Sequence, residues 1–132
     1  MIRWAFAATL ALATGCATME NQPQYLRGAW GGPHAAIAFN GGLADVRFDC
    51  AAGTIDDLIF AAKGGPFEAK GTYRVGSPGP IKVGQTFVIQ PATYSGNVTE
   101  GVMTLNVELE DGTLIGPFTL TQGGVPQLTR CL

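Results

Sequence analysis

Apolar and polar residues alternate along most of the chain beyond residue 25, and no segment there shows a sustained 3.6-residue apolar period. The clearest example is residues 43–50, where the even-numbered residues from Ala44 to Cys50 are apolar or small and alternate with the charged residues Asp45, Arg47 and Asp49. Successive side chains of a strand point to opposite faces. The pattern therefore predicts an all-β domain and directs Cys50 inward. The same alternation recurs over residues 67–75 and 103–109.

Glycine-containing turns separate the predicted strands about every ten residues. Asn40-Gly41-Gly42, Glu100-Gly101 and Asp111-Gly112 supply the positive φ that tight hairpins require. Eight or nine short antiparallel strands joined in this way favour a single meander closed into a small up-and-down β-barrel; the alternative is a two-sheet β-sandwich, which also buries one face of each strand. The other predicted strands are 26–30, 34–39, 54–61, 86–90, 93–98, 113–121 and 127–131.

The first residues have a different character. A single positive charge at Arg3 precedes an uncharged, mostly apolar stretch, and small residues follow it at Thr14 and Gly15. These are the features of a secretion signal. A helix of about 11 residues rises only about 16 Å, which is too short for a hydrocarbon core of roughly 30 Å. We therefore predict a signal peptide over residues 1–15.

The segment Leu12-Ala13-Thr14-Gly15-Cys16 resembles a bacterial lipobox. This resemblance implies that signal peptidase II cuts before Cys16 and that Cys16 carries the lipid anchor. Residues 16–24 would then be the lipidated cysteine with a polar tether, and residues 25–132 the barrel domain. In the lipoproteins that this segment resembles, an Asp at the next position favours the inner membrane. Because Ala17 stands there, we expect outer-membrane anchoring, facing the periplasm of a Gram-negative cell. The alternative is an ordinary secretory signal cut nearby.

The charge of the mature chain restricts its partners. Removal of residues 1–15 would leave 117 residues with seven Lys or Arg and ten Asp or Glu. The sequence contains no run of Lys and Arg, and binding to nucleic acid requires a basic patch that neutralises phosphates. We therefore expect no nucleic-acid partner.

Two cysteines remain once Cys16 is assigned to lipid. In an exported, oxidising compartment Cys50 and Cys131 are expected to form a disulfide; the alternative is two free buried thiols. The chain has one histidine, His34, and no Cys-x-x-Cys motif, so a zinc site lacks ligands. We predict no metal and no cofactor.

The domain also resembles known barrel families. Gly28-Ala29-Trp30 resembles the Gly-x-Trp that opens lipocalins and avidins, which implies that Trp30 lies in the core near the closed end of the barrel, with Arg130 stacked on it. The alternative is a plain core tryptophan and a surface arginine.

Across its length the mature domain looks like a group of small uncharacterised bacterial lipoproteins, on segments such as Trp30-Gly31-Gly32-Pro33-His34 and Arg130-Cys131-Leu132. It is also similar to the membrane-bound inhibitor of chicken-type lysozyme, a lipoprotein barrel whose disulfide joins an early strand to the C-terminus. The Ser-Gly-x-x-Tyr segment of that family is missing here. Lysozyme inhibition is an alternative function that this resemblance implies.

Candidate chemistry is sparse. His34 is the one histidine of the chain and follows a turn, so it is either a ligand contact at the rim, together with Trp30, or a structural residue. Asp56 and Asp57 point to opposite faces if they lie in a strand, so they mark a strand break or place one carboxylate at a pocket. No nucleophile elbow is present. We therefore expect a non-catalytic module that binds an envelope protein or a small apolar ligand; the alternative is an enzyme with an unrecognised pocket.

Overall fold

The computed structural model describes residues 24–76, 84 and 88–130 and shows a closed antiparallel barrel of eight strands in chain order. Each strand pairs with the next, and β8 closes the barrel on β1 through Trp30 opposite Gln122. This confirms the predicted all-β up-and-down barrel. Among the described residues no helix is long and apolar enough to cross a membrane. The strands are β1 Gly28–Gly32, β2 Ala35–Asn40, β3 Leu43–Phe48, β4 Ala51–Ile55, β5 Gly65–Val75, β6 Ile89–Thr99, β7 Val102–Leu109 and β8 Leu114–Gln122.

Alternation along the strands places one face of each in the core. In β3 the side chains of Ala44, Val46 and Phe48 are buried, whereas Asp45 and Arg47 are exposed, as the sequence predicts. The core is continuous from β1 to β8. Its fully buried large side chains are Ile37, Val46, Ile55, Ile59, Tyr94, Met103, Leu105, Val107 and Leu120.

The two ends of the barrel differ. We call the end formed by residues 24–27, 41–42, 56–64 and 100–101 the lower end, and the end formed by residues 33–34, 49–50 and 110–113 the upper end. The lower end is closed by Leu26, Ile59 and Ala61, all 2% exposed. Backbone hydrogen bonds hold this closure, from Leu26 N to Ile59 O at 2.8 Å and from Ala62 N to Gln24 O at 3.3 Å.

Four of the predicted strands differ from the strands of the structure. The segment 54–61 is not a strand, because β4 leaves the sheet after Ile55 and the following residues close the lower end. Residues 86–90 and 93–98 are not two separate strands, because β6 runs unbroken through Pro91. Pairing with β7 begins only at Ala92, so the missing N–H of Pro91 breaks no ladder bond on that side. The segment 127–130 forms one parallel bridge, between Pro33 and Gln127.

The predicted inward orientation of Cys50 is also wrong. β3 ends at Phe48, which pairs with Ala51, and the two residues between them form a tight turn. Cys50 has a φ of 53° there and is half-buried. Cys50 is disulfide-bonded. Cys16 and Cys131 lie outside the described residues, so the pairing with Cys131 and the lipidation of Cys16 stay predictions.

Gly31 and Gly32 belong to β1, which continues two residues beyond the predicted strand 26–30. After β8 the chain crosses the outer side of β1, and a Cβ on Gly31 would overlap the carbonyl oxygen of Gly124 and lie 2.9 Å from the nitrogen of Pro126. Gly31 is therefore required by a close backbone approach. The crossing brings residues 127–130 to the upper end, where Gln127 N donates to Gly32 O at 3.1 Å.

Candidate functional site

His34 and Asp49 meet at the upper end. His34 lies in the β1–β2 connection with a φ of 69°, and Asp49 lies in the β3–β4 turn. The pairing of Ala35 with Phe48 places these two connections side by side. The His34 Nδ1 is hydrogen-bonded to the Asp49 Oδ2, and the two side chains are 62% and 32% exposed. Sequence reasoning named His34 but missed Asp49, because only strand register brings them together.

This pair fixes the C-terminal segment. The Thr129 backbone N–H donates to Asp49 Oδ1 at 2.6 Å, and the His34 N–H donates to the Gln127 carbonyl at 2.8 Å. The hydrogen bond from the Thr129 amide lowers the pKa of Asp49, burial opposes this, and the hydrogen bond and charge of His34 lower the pKa further. Asp49 is therefore a carboxylate at neutral pH and serves as an anchor for residues 127–130.

The structure does not bring the two predicted rim contacts together. Trp30 is 3% exposed in the core, and its indole N–H donates to the Arg27 carbonyl at 3.1 Å, beside the lower end. His34 lies at the upper end. Arg130 is exposed, and stacking of Arg130 on Trp30 is not found among the described side chains. Trp30 is therefore a core residue and Arg130 a surface residue.

Asp56 and Asp57 end a strand. Asp56 N donates to Lys70 O at 2.8 Å, and Asp57 Oδ2 accepts from Lys70 N at 2.8 Å. Thr54 Oγ1 also donates to Asp56 Oδ1 at 2.9 Å. Both side chains are exposed, and the Asp56 backbone N–H and the Asp57 carboxylate complete the edge of β5 where β4 has left it. Within the described part of the chain no three His, Cys, Asp or Glu residues are grouped so that they could hold a metal ion.

A shallow groove of about 370 Å³ lies beside the His34–Asp49 pair, and we call it the arginine groove. Arg47 is paired with Ala52, and Ala52 with Arg74, so two outward guanidinium groups flank one small side chain. Arg130 joins them from the C-terminal segment that Asp49 holds. Its lining is Arg47, Phe48, Cys50, Ala51, Ala52, Arg74, Gly76, Leu128, Thr129 and Arg130.

No protein-family model, curated protein or solved structure matches this chain. The side chains of the arginine groove indicate what it can bind. Guanidinium groups bind carboxylates and phosphates in a planar, bidentate geometry. Within the described part of the chain neither Arg47 nor Arg130 forms an ion pair. The nearest acidic residue on this face of β3 is Asp45, which lies two residues before Arg47, toward the lower end.

Sequence reasoning missed this groove. Its three arginines are far apart in the chain: Arg47 and Arg74 each look like an ordinary residue on a polar strand face, and Arg130 was considered only as a partner of Trp30. The available signal was that Arg47 and Arg74 both lie on predicted outward faces. They lie side by side across Ala52 only because of the registers between β3, β4 and β5, and alternation along a strand does not determine register.

Proposed function

We propose that the protein is a lipid-anchored, non-catalytic binding module of the bacterial cell envelope, held through Cys16, that presents the arginine groove to an envelope protein carrying carboxylates. The observation that carries the proposal is the convergence of Arg47, Arg74 and Arg130 on one groove at the upper end. The described chain begins at the lower end, near the predicted tether. A partner would therefore approach from the side away from the membrane.

The core supports a binding surface rather than an internal ligand site. Ile55, Tyr94 and Leu105 are 0% exposed and contact protein on all sides, so these inward side chains border no water-sized space. A barrel that carries a small apolar ligand needs a cavity lined by such residues. The alternative of a small apolar ligand therefore gains no support from these residues.

The upper-end geometry gives Asp49 a positioning role. A general base needs a free nitrogen or oxygen within reach of a substrate proton. Both Asp49 oxygens are used, one by His34 and one by the Thr129 amide. The exposed histidine has no nucleophile among its contacts in the described residues. The arrangement positions the C-terminal segment, and with it Arg130.

Binding of poly-L-glutamate, as a carboxylate probe, to the purified protein tests this proposal. We expect affinity that falls as salt rises, and a loss of at least about tenfold in the double variant Arg47→Gln/Arg130→Gln, since bidentate guanidinium contacts are lost. Arg27→Gln is the matched control, because Arg27 lies at the lower end, 4.6 Å from the centre of the Tyr25 ring. Equal binding by both variants would contradict the proposed groove.

A further inference from the structure

The lower end exposes several large apolar side chains. Leu43 begins β3 and is 48% exposed, Val102 begins β7 and is 41% exposed, and Leu58 and Phe60 in the closing segment are 40% and 59% exposed. We call these four residues the apolar rim. Single exposed apolar residues are ordinary. The upper end also exposes large apolar side chains, at Val75, Val88, Ile89 and Leu114. The apolar rim differs from them in its position, because it lies at the end of the barrel where the described chain begins.

The closing segment holds part of the rim in a fixed orientation. Exposure alternates over residues 58–61, with Ile59 and Ala61 plugging the barrel and Leu58 and Phe60 directed away from it. Hydrogen bonds on both sides of Phe60, from Leu26 N to Ile59 O and from Ala62 N to Gln24 O, attach this segment to the start of the described chain. Phe60 therefore has little freedom to turn inward.

Leu58 is also fixed in place. A Cβ on Gly42 would overlap the Leu58 side chain and lie 3.4 Å from the Tyr25 ring, so Leu58 rests on the β2–β3 turn beside Tyr25. Leu43, Leu58 and Phe60 thus lie close to the start of the described chain at Gln24. Residues 17–24 span at most about 29 Å when extended, which limits how far the lower end can lie from a lipid attached at Cys16.

We propose that the apolar rim docks on the lipid bilayer that holds the Cys16 anchor, with Phe60 and Leu58 at the boundary between headgroups and acyl chains. This inference rests on the proposed lipid anchoring. Apolar side chains at this depth gain by leaving water. The charged residues of the lower end are Arg27, Lys63, Asp56, Asp57 and Glu100, so acidic groups outnumber basic ones and give no attraction to anionic lipid. Docking fixes the orientation of the barrel and leaves the arginine groove facing away from the membrane.

Tryptophan quenching by brominated lipid tests this docking. The lipidated protein carrying Phe60→Trp is reconstituted in phosphatidylethanolamine vesicles with brominated acyl chains, with and without phosphatidylglycerol. Leu114→Trp is the matched control, since Leu114 is 75% exposed at the upper end. Trp30 gives a buried, constant background in both. We expect brominated lipid to quench the added fluorescence of Phe60→Trp and not that of Leu114→Trp, whether or not phosphatidylglycerol is present.

Other results would overturn the proposal. Equal quenching of the two tryptophans means that the barrel has no preferred orientation. An unquenched Phe60→Trp that cross-links to a second copy means that a protein surface covers the rim. Protein that fails to float with the vesicles refutes the anchoring itself, whereas protein that floats without quenching refutes only the docking. Leu43→Trp, on the same rim, replaces Phe60→Trp if that variant does not fold.

Discussion

The Tyr94 hydroxyl occupies the space into which a side chain on Gly53 would extend. A Cβ on Gly53 would overlap the hydroxyl oxygen, and a Cβ on Gly71 would lie 3.0 Å from the Tyr94 ring. The hydroxyl donates to the Thr72 carbonyl at 2.7 Å. Tyr94 on β6 therefore reaches over β5 toward β4, and two glycines make room for its ring. This contact couples three strands at the centre of the barrel.

Removal of this hydroxyl should destabilise the barrel. We expect Tyr94→Phe to lower the free energy of unfolding by about 0.5 to 1.5 kcal/mol, the usual net worth of a hydrogen bond. Urea denaturation measures the change. Tyr73→Phe is the matched control, because Tyr73 is inward-facing and 8% exposed but its hydroxyl makes no hydrogen bond within the described residues. Equal losses in both variants would show that the Thr72 contact is not the cause.

Tyr94 should also make the fold sensitive to alkali. Burial raises the pKa of Tyr94 strongly above its ordinary value of 10.0, and the charges of Tyr73 and Asp56 act in the same direction. A group whose pKa is higher in the folded than in the unfolded chain stabilises fully below the unfolded value, and this stability is lost as the pH rises above it. We expect tyrosinate absorbance to appear late, together with unfolding, above about pH 10. The Tyr94→Phe variant should lose the latest part of this titration, while Tyr73, whose pKa burial also raises, keeps a smaller part. Early titration of all tyrosines would contradict the prediction.

Asp49 should control the order of the C-terminal segment. The pKa of Asp49 is lower in the folded chain, chiefly through the Thr129 amide, so its stabilising charge is present above the ordinary value of 3.8 and is lost as the pH falls through the folded value. We expect Asp49→Ala to speed hydrogen exchange at the Thr129 amide. Asp111→Ala is the control, because Asp111 Oδ1 accepts from the Thr113 amide at 2.9 Å in the β7–β8 turn. That variant should speed exchange at Thr113 and leave Thr129 protected.

The sequence was sufficient to predict the fold class, because the alternation of apolar and polar residues shows which face of each strand is buried. Ala44, Val46 and Phe48 are buried as predicted, since one polar and one apolar face are enough to orient a strand. Strand ends were less predictable. The apolar residues of 58–61 alternate like a strand, but their alternation serves to plug the lower end, and Ile59 and Ala61 are buried there without sheet pairing.

The candidate site could not be predicted for a different reason. Cys50 continues the apolar alternation of β3, yet it lies in a two-residue turn, because the register with β4 pairs Phe48 with Ala51. The same register aligns Arg47 with Ala52, and the next one aligns Ala52 with Arg74. Register arises from pairing between segments, so a pattern along one segment does not contain it. The contact of Asp49 with Thr129 joins residues 80 positions apart.

Truncation of Trp30 should be severe. Its indole is 3% exposed and donates to the Arg27 carbonyl, so Trp30→Ala would remove a large buried ring and a hydrogen bond near the closed lower end. We expect a loss of about 3 to 5 kcal/mol in the free energy of unfolding, measured with urea. Phe60→Ala is the control, because Phe60 is 59% exposed and its truncation should stay within about 0.5 kcal/mol. A nearly neutral Trp30→Ala would contradict the core placement.

The lipidation of Cys16 would determine which cysteine pairs with Cys50. Cys50 is disulfide-bonded, and a cysteine that carries a thioether-linked lipid cannot also form a disulfide. If Cys16 is lipidated, Cys50 must pair with Cys131. We expect mass spectrometry of the unreduced, digested protein to find a peptide linking Cys50 and Cys131, and a separate N-terminal peptide carrying acyl chains on Cys16. Closing a loop of about 80 residues would contribute roughly 4 kcal/mol to stability.

Metabolic labelling with clickable palmitate distinguishes the lipid-bearing cysteine, Cys16, from the disulfide-bonded cysteine, Cys50, in cells. Cys16→Ser should lose both the label and membrane attachment, because the thiol that accepts the lipid is gone. Cys50→Ser should keep the label while losing stability, so it is the matched control for general effects of removing a cysteine. A linked peptide joining Cys16 to Cys50 would contradict the anchor and the bridge together, because the sulfur assigned to lipid would then be in the disulfide. Label that persists in Cys16→Ser would contradict the anchor alone and leave the bridge between Cys50 and Cys131 intact.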